Sequence, residues 1–256
     1  MTVNYPPLST DQRQPLGPRA VRIALPLIVF AGLLAATFGP AAARSEAAAT
    51  LSIYKNALDT SAKRSQIFRY GSEGQCKRGK ASKAFRFSLG KQTRECFFRL
   101  PAVGRSVEVS AVGVLFDSTP EKVIGRTYLA VSTRQAGNGS RYQLAVFPSQ
   151  RKWELRKVEP NGAIEYLATG KNQKEIKGPG QSNRILLRSF NGVKGQPSTT
   201  ARLVARINGK RVVVFNDARG LQLTGRITSF SIGSPLFASG AAGSFREVDV
   251  RIPDPL

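Results

Sequence analysis

The sequence predicts an all-β chain: a two-sheet antiparallel jelly-roll-like sandwich preceded by one N-terminal transmembrane or signal-anchor helix. Three observations predict it. After residue 50 the chain is a succession of short segments with period-two alternation, rich in β-branched and aromatic residues. Asn-Gly pairs and polar Gly/Pro loops separate them, and no long segment has helical period. A parallel sheet would need helices between the strands.

Residues 1–22 carry Pro6, Pro7, Pro15 and Pro18 and read as a disordered cytoplasmic tail. Residues 23–43, Ile23 to Ala43, contain no charge and match the roughly 20 residues that span a bilayer. Arg13, Arg19 and Arg22 precede them with only Asp11 to offset, which keeps the N-terminus in the cytoplasm. Ala41-Ala42-Ala43 also fits a secretory cleavage site, so two fates are open, an uncleaved anchor and a protein secreted after cleavage near Ala43. The length of the apolar run and of the leader favours the anchor at the cell membrane. Both fates carry the remaining chain, a spacer at 44–50 and a sandwich at 51–256, out of the cytoplasm.

The expected strands are Leu51 to Leu58, Ala84 to Leu89, Glu95 to Leu100, Val107 to Phe116, Arg126 to Thr133, Arg141 to Phe147 and Lys152 to Val158. They continue with Ala163 to Ala168, Arg184 to Phe190, Ala201 to Ile207, Arg211 to Asn216, Gly225 to Ile232 and Phe245 to Ile252. Asn138-Gly139, Asn161-Gly162, Asn191-Gly192 and Asn208-Gly209 are expected to supply the positive-φ pairs of two-residue hairpins. In Ala201 to Ile207 the set Leu203, Ala205, Ile207 should face the core while Arg202, Val204, Arg206 face outward. In the last strand the core set is Val248, Val250 and Ile252. The loops Lys171 to Ser182 and Val193 to Thr199 are where specific recognition would concentrate.

Cys76 and Cys96 are the only cysteines, and in an exported setting such a pair forms one bridge. Two thiols without any histidine are too few for a metal site, and their spacing is not Cys-x-x-Cys. The whole chain carries a net charge of +23, of which residues 1–43 hold +2, leaving 23 − 2 = +21 for the exported part. Such a field attracts polyanions. Outside a cell these are acidic polysaccharides, acidic wall polymers and phospholipid headgroups; the compartment argues against nucleic acid as a partner in vivo.

From about Val107 to Ile252 the order of motifs resembles the concanavalin A-like lectin/glucanase sandwich, in particular laminin-G-like domains. The residues that carry it are Tyr142-x-Leu144, Trp153-x-Leu155, Asn183-Arg184, Ile207-Asn208-Gly209-Lys210-x-Val212 with Asp217, Ser231-Ile232-Gly233, and Phe245-x-x-Val248-x-Val250. The resemblance implies that Trp153 packs in the sandwich and that the last strand pairs with the first. It covers Leu51 to Gly104, with both cysteines, only as generic strands.

Glycoside cleavage needs two carboxylates on a shared face. The glucanases of the resembled family carry Glu-x-Asp-x-x-Glu, and here Glu247-Val248-Asp249 lacks the third acid. The absence of histidine removes Ser-His-Asp, Cys-His and His-ligated metal sites. Calcium in laminin-G-like domains would fall to Asp117, Asn216 and Asp217, few acids for so basic a domain; no catalytic residue, metal or cofactor is expected. The leading expectation is a noncatalytic extracytoplasmic binding module for a glycan or anionic cell-envelope polymer, with Arg202, Arg206, Lys210 and Arg211 as the polyanion-binding residues and residues 23–43 as the membrane contact. Two others compete: a structural or protein-interaction domain of the envelope without sugar binding, and, behind both, a glycan hydrolase acting through Glu247.

Overall fold

The computed structural model of the chain describes residues 50–70, 76–79, 84–91, 93–191, 195, 197–219 and 223–253. The predicted N-terminal segments, 1–22, 23–43 and nearly all of the 44–50 spacer, lie outside them. Among the described residues no helix is long and apolar enough to cross a membrane.

The strands are β1 (Thr50–Asn56), β2 (Phe68–Tyr70), β3 (Cys76–Gly79), β4 (Phe85–Leu89), β5 (Glu95–Val103), β6 (Val107–Leu115), β7 (Tyr128–Gln135) and β8 (Arg141–Phe147). They continue as β9 (Lys152–Val158), β10 (Ile164–Gly170), β11 (Ser182–Asn191), β12 (Ala201–Ile207), β13 (Lys210–Asp217), β14 (Ile227–Gly233) and β15 (Ala242–Pro253). Sheet A has the order β13-β12-β11-β6-β15-β4-β3, with β1 also on β15. Sheet B has the order β10-β9-β8-β7-β14-β5-β2. All pairings are antiparallel. Two short helices, α1 (Ser61–Ser65) and α2 (Glu121–Ile124), sit in connections. The side chain of Thr60 caps α1 by accepting from the Lys63 amide.

The period of two places one side of each strand between the sheets. Leu203, Ala205 and Ile207 are fully buried, as are Val248 and Val250. Phenylalanines lock the sheets together: Phe85 and Phe245 of sheet A lie 4.8 Å and 4.6 Å, centroid to centroid, from Phe98 and Phe230 of sheet B. Such pairs add about 0.5–1.5 kcal/mol each beyond their buried area. Trp153 is also buried in this core, as the resemblance implied, against the backbone of Gly170; a Cβ there would stand 2.3 Å from its Nε1. Cys76 of β3 and Cys96 of β5 form the expected disulfide, which joins the two sheets.

Several expectations need correction. Asn208-Gly209 alone has the positive-φ pair, at 50° and 86°, of a two-residue hairpin. Asn138 and Asn161 instead accept hydrogen bonds from the amides of Ser140 and Ala163, and only the glycine after each takes positive φ, in longer turns. Asn191 ends β11, and the chain reaches β12 only at Ala201, so Asn191-Gly192 makes no two-residue hairpin. Ile252 is 43% exposed, because the end of β15 pairs with Leu51 on β1 at the sheet margin. Residues Leu51 to Gly104 contribute β1, β3 and β4 to sheet A and β2 and β5 to sheet B, so this stretch is integral to the sandwich.

Candidate functional site

The outward face of sheet A is solvated and cationic. On β11 and β12 it presents Arg184, Arg188, Arg202 and Arg206, and on β13 Arg211 faces Arg206 in register. Arg184 is held by Glu247 of β15 through two hydrogen bonds at 2.9 and 3.2 Å, and Arg188 by Glu108 of β6 at 2.7 Å. Lys210, at the hairpin, reaches Glu175 at 3.4 Å with its side chain still 67% exposed. Among the described residues Arg202, Arg206 and Arg211 have no carboxylate partner. Of the four predicted polyanion-binding residues, three therefore form an unneutralised row, and Lys210 adjoins it with an acid attached.

Glu247 and Asp249 project from the same side of β15, opposite Val248 and Val250, as alternation requires. Asp249 is held by Arg251 at 2.7 Å and accepts from Ser52 at 3.0 Å. Both carboxylates are thus committed to cations. Asp217 accepts the Tyr142 hydroxyl at 2.5 Å and Asp117 accepts the Ser118 amide. Among the described residues no group of three or more acids and cysteines gathers as metal ligands.

The outward face of sheet B differs from that of sheet A: on its central strands β14, β7, β8 and β9 it is almost wholly withdrawn from solvent. Register places Ser229, Ser132, Gln143 and Arg156 in one lateral row across β14, β7, β8 and β9. The next row is Phe97, Ser231, Ala130, Ala145 and Glu154, and a third runs from Glu95 past Gly233 to Tyr128, Phe147 and Lys152. Small residues thus floor the centre. Long side chains close over them: Gln143 Nε2 donates to Glu95 Oε1 at 2.6 Å, Arg141 Nη2 to Glu95 Oε2 at 2.8 Å, and Arg156 Nε to Gln143 Oε1 at 2.9 Å. Ser231 Oγ donates to Glu95 at 2.6 Å, and Glu154 receives Arg156 and Lys152.

The Gln143 to Glu95 bond fixes the curvature. Three interstrand steps separate β8 from β5, about 14 Å on a flat sheet. Two side chains of this length and one hydrogen bond do not bridge that width unless the sheet bends toward them. The outward face of sheet B is therefore concave.

Three cations lie over three rings on this face: Arg141 over Phe97 at 4.1 Å, Arg156 over Tyr128 at 4.2 Å and Lys152 over Phe147 at 5.2 Å. Burial, reinforced by the charge of Glu95, pushes the Tyr128 hydroxyl far above the ordinary tyrosine value. Burial opposes the charge on Arg156, but Tyr128, Glu95 and Glu154 outweigh it and hold the guanidinium above its usual value.

None of these sheet B residues was given a binding role from the sequence; Ser231 and Gly233 entered only through the resemblance. The available signal was the outward set of three consecutive hairpin strands, Tyr128-x-Ala130-x-Ser132, Arg141-x-Gln143-x-Ala145-x-Phe147 and Lys152-x-Glu154-x-Arg156, which mixes charge with aromatics. Alternation identifies such a set as outward and says nothing of curvature.

Solved structures share this architecture. A Bacillus subtilis protein of unknown function with a galectin-like fold aligns over 80% of this chain and 98% of its own, at TM-score 0.56 and 13% identity. The metal-free carbohydrate recognition domain of Emp46p aligns over 80% and 97%, at TM-score 0.52 and 12% identity. The fold is the concanavalin A-like sandwich. A Bacillus licheniformis β-glucanase is similar over 78% of this chain and 97% of its own, at TM-score 0.52 and 6% identity. No protein-family model matches the chain, and no curated protein matches it in sequence. Identities this low assign the concanavalin A-like fold and not an activity.

Proposed function

We propose that the chain is a noncatalytic binding module that works outside the cytoplasm and engages an acidic glycan or other anionic cell-envelope polymer through the outward face of sheet A. One observation carries the reading: Arg206 and Arg211 stand directly opposite one another across β12 and β13, with Arg202 further along the same face and, among the described residues, no acid to neutralise them. Like charges in register cost stability. A polyanion laid across the hairpin offsets that repulsion and gains charge-assisted hydrogen bonds from each guanidinium. The carbohydrate recognition domain among the structural neighbours is consistent with this use of the concanavalin A-like fold.

The ion pairing of Glu247 and Asp249 supports the noncatalytic part, since both carboxylates are engaged by arginine and the third acid of the glucanase motif is missing. Residues 23–43 supply the anchor, or are removed by cleavage near Ala43. An intact mass near 27.7 kDa for the protein recovered from cells indicates the anchor, and a shorter chain indicates secretion.

Retention of the full chain on an immobilised acidic polysaccharide tests the binding. Retention is expected at low salt, with a steep fall as salt rises, and none is expected on a neutral polysaccharide of similar size. The Arg206→Glu/Arg211→Glu variant should elute with the unbound fraction. No retention at low ionic strength, or retention unchanged in the variant, overturns the proposal.

A further inference from the structure

The loop between β14 and β15 carries its two largest apolar side chains in water. Leu236 is 51% exposed and Phe237 56%, and Pro235 beside them is exposed too. The loop cannot fold them away, because it is pinned at both feet. Ser234 donates its amide to the Arg94 carbonyl at 2.8 Å, Gly240 donates to the Leu89 carbonyl at 3.0 Å, and Leu89 donates back to Ala241 at 2.8 Å. Ala238 and Ala241 are fully buried, and Gly240 turns the chain with a φ of 87°. Between these ties Pro235-Leu236-Phe237 is a short apolar protrusion held out by the fold.

Its surroundings are cationic. Arg94 lies over the Phe237 ring at 5.0 Å. The two connections that adjoin the loop, 90–94 and 116–127, expose Lys91, Arg94, Lys122 and Arg126 against Asp117 and Glu121. Strand direction brings 148–151 and 171–181 to the same end of the sandwich with four more cations and one acid, so this rim holds 8 − 3 = +5 among the described residues. Apolar side chains at a tip and long Lys and Arg side chains around it match a bilayer surface. The first enter the acyl boundary while the second keep their charged heads among the headgroups. The sign of the rim selects anionic lipid.

We infer that the Pro235-Leu236-Phe237 tip docks on an anionic lipid bilayer, with Leu236 and Phe237 inserted and the cationic rim on the headgroups. The chain enters the sandwich at Thr50, which pairs with Pro253 at the far end of β15, so this is a second contact and not an extension of residues 23–43. It uses none of Arg202, Arg206 and Arg211 on sheet A and stands or falls without them.

The test carries the full chain in phosphatidylcholine nanodiscs, so that residues 23–43 are occupied before vesicles are added, and uses Phe237→Trp as the reporter; the native Trp153 is buried. Vesicles of brominated phosphatidylcholine mixed with brominated phosphatidylglycerol should quench the introduced indole saturably, and brominated phosphatidylcholine alone should bind at least about fivefold more weakly. Leu236→Ser in the same background leaves the charge unaltered and should weaken binding to the mixed vesicles at least about fivefold. Arg206→Gln/Arg211→Gln should reach the same quenching at saturation. Absence of quenching by the mixed vesicles overturns the inference. Binding that Leu236→Ser leaves unchanged overturns it too, since charge alone then accounts for the attachment. So does an indole shielded from aqueous iodide before vesicles are added, which would mean that protein, such as a second copy of the chain, covers the tip.

Discussion

Gln143 is the residue on which the concave face depends. Its amide donates to Glu95 and to Ser231, while its oxygen accepts from Arg156, so it links an acid and a base across the sheet. Gln143→Ala leaves both charged groups with unmet bonds, and a loss of about 1–3 kcal/mol is expected from the shift in urea midpoint. An unchanged midpoint would show that the network contributes nothing to folding. Asn183 plays a similar part on sheet A. Fully buried, it accepts from the Lys177 amide and from Asn208 Nδ2, and donates to the Lys177 carbonyl, tying the 171–181 loop to the β12–β13 hairpin. Glycine has an equally specific use at Gly225, where a Cβ would stand 2.3–2.4 Å from the backbone of Arg134, Gln135 and Ala136. Backbone cannot move aside as a flexible side chain can, so Gly225→Ala should destabilise by about 1–3 kcal/mol. A thermal melt checks it, and a variant as stable as the parent would mean that the loop shifts freely.

At the scale of elements, the disulfide is the one covalent tie between the sheets. Cys76 and Cys96 are separated by 20 residues, and opening that loop should lower stability by about 3 kcal/mol in the chain-entropy model. A Cys76→Ser/Cys96→Ser variant compared with the oxidised parent in guanidinium measures it; equal midpoints would sink the estimate. The bridge was legible in the sequence from cysteine count and exported setting, while β3, which carries Cys76, was not. Its four residues, Cys-Lys-Arg-Gly, have no apolar alternation, and only pairing with β4 makes them a strand. The strands Arg141 to Phe147, Lys152 to Val158 and Ala201 to Ile207 were legible to the residue, because each carries an unbroken apolar set at every second position over most of its length and turn residues bound them. The hairpin chemistry was legible in part. Asn-Gly marks a turn in each case, but loop length decides whether the asparagine takes positive φ or folds its side chain onto the next amides. The cationic row on sheet A followed from alternation along β12. The concave cluster did not, since it depends on which way a seven-stranded sheet bends and on contacts between strands far apart in sequence.

Over the whole molecule, the first and last described strands pair, β1 with β15, and the core between the sheets includes Tyr142 as well as the phenylalanines. Two tyrosines are withdrawn from water with their protons committed. Tyr142 is raised by burial and by its hydrogen bond to Asp217, and Tyr128 by burial and by the charge of Glu95. A tyrosine whose pKa rises on folding binds its proton more tightly in the folded state. Its contribution is complete below the unfolded value near 10 and is lost as pH climbs through the folded value. With no histidine in the chain, no imidazole titrates near neutrality, and these two hydroxyls set a decline on the alkaline side. Stability by chemical denaturation should therefore fall as pH rises past about 10, even though deprotonating lysines relieves the self-repulsion of a +23 chain. Tyr128→Phe keeps the ring under Arg156 and removes one of the two protons. It should retain the neutral-pH fold and show a shallower alkaline decline than the parent, whereas an identical slope would mean that the buried hydroxyls do not govern the alkaline limit.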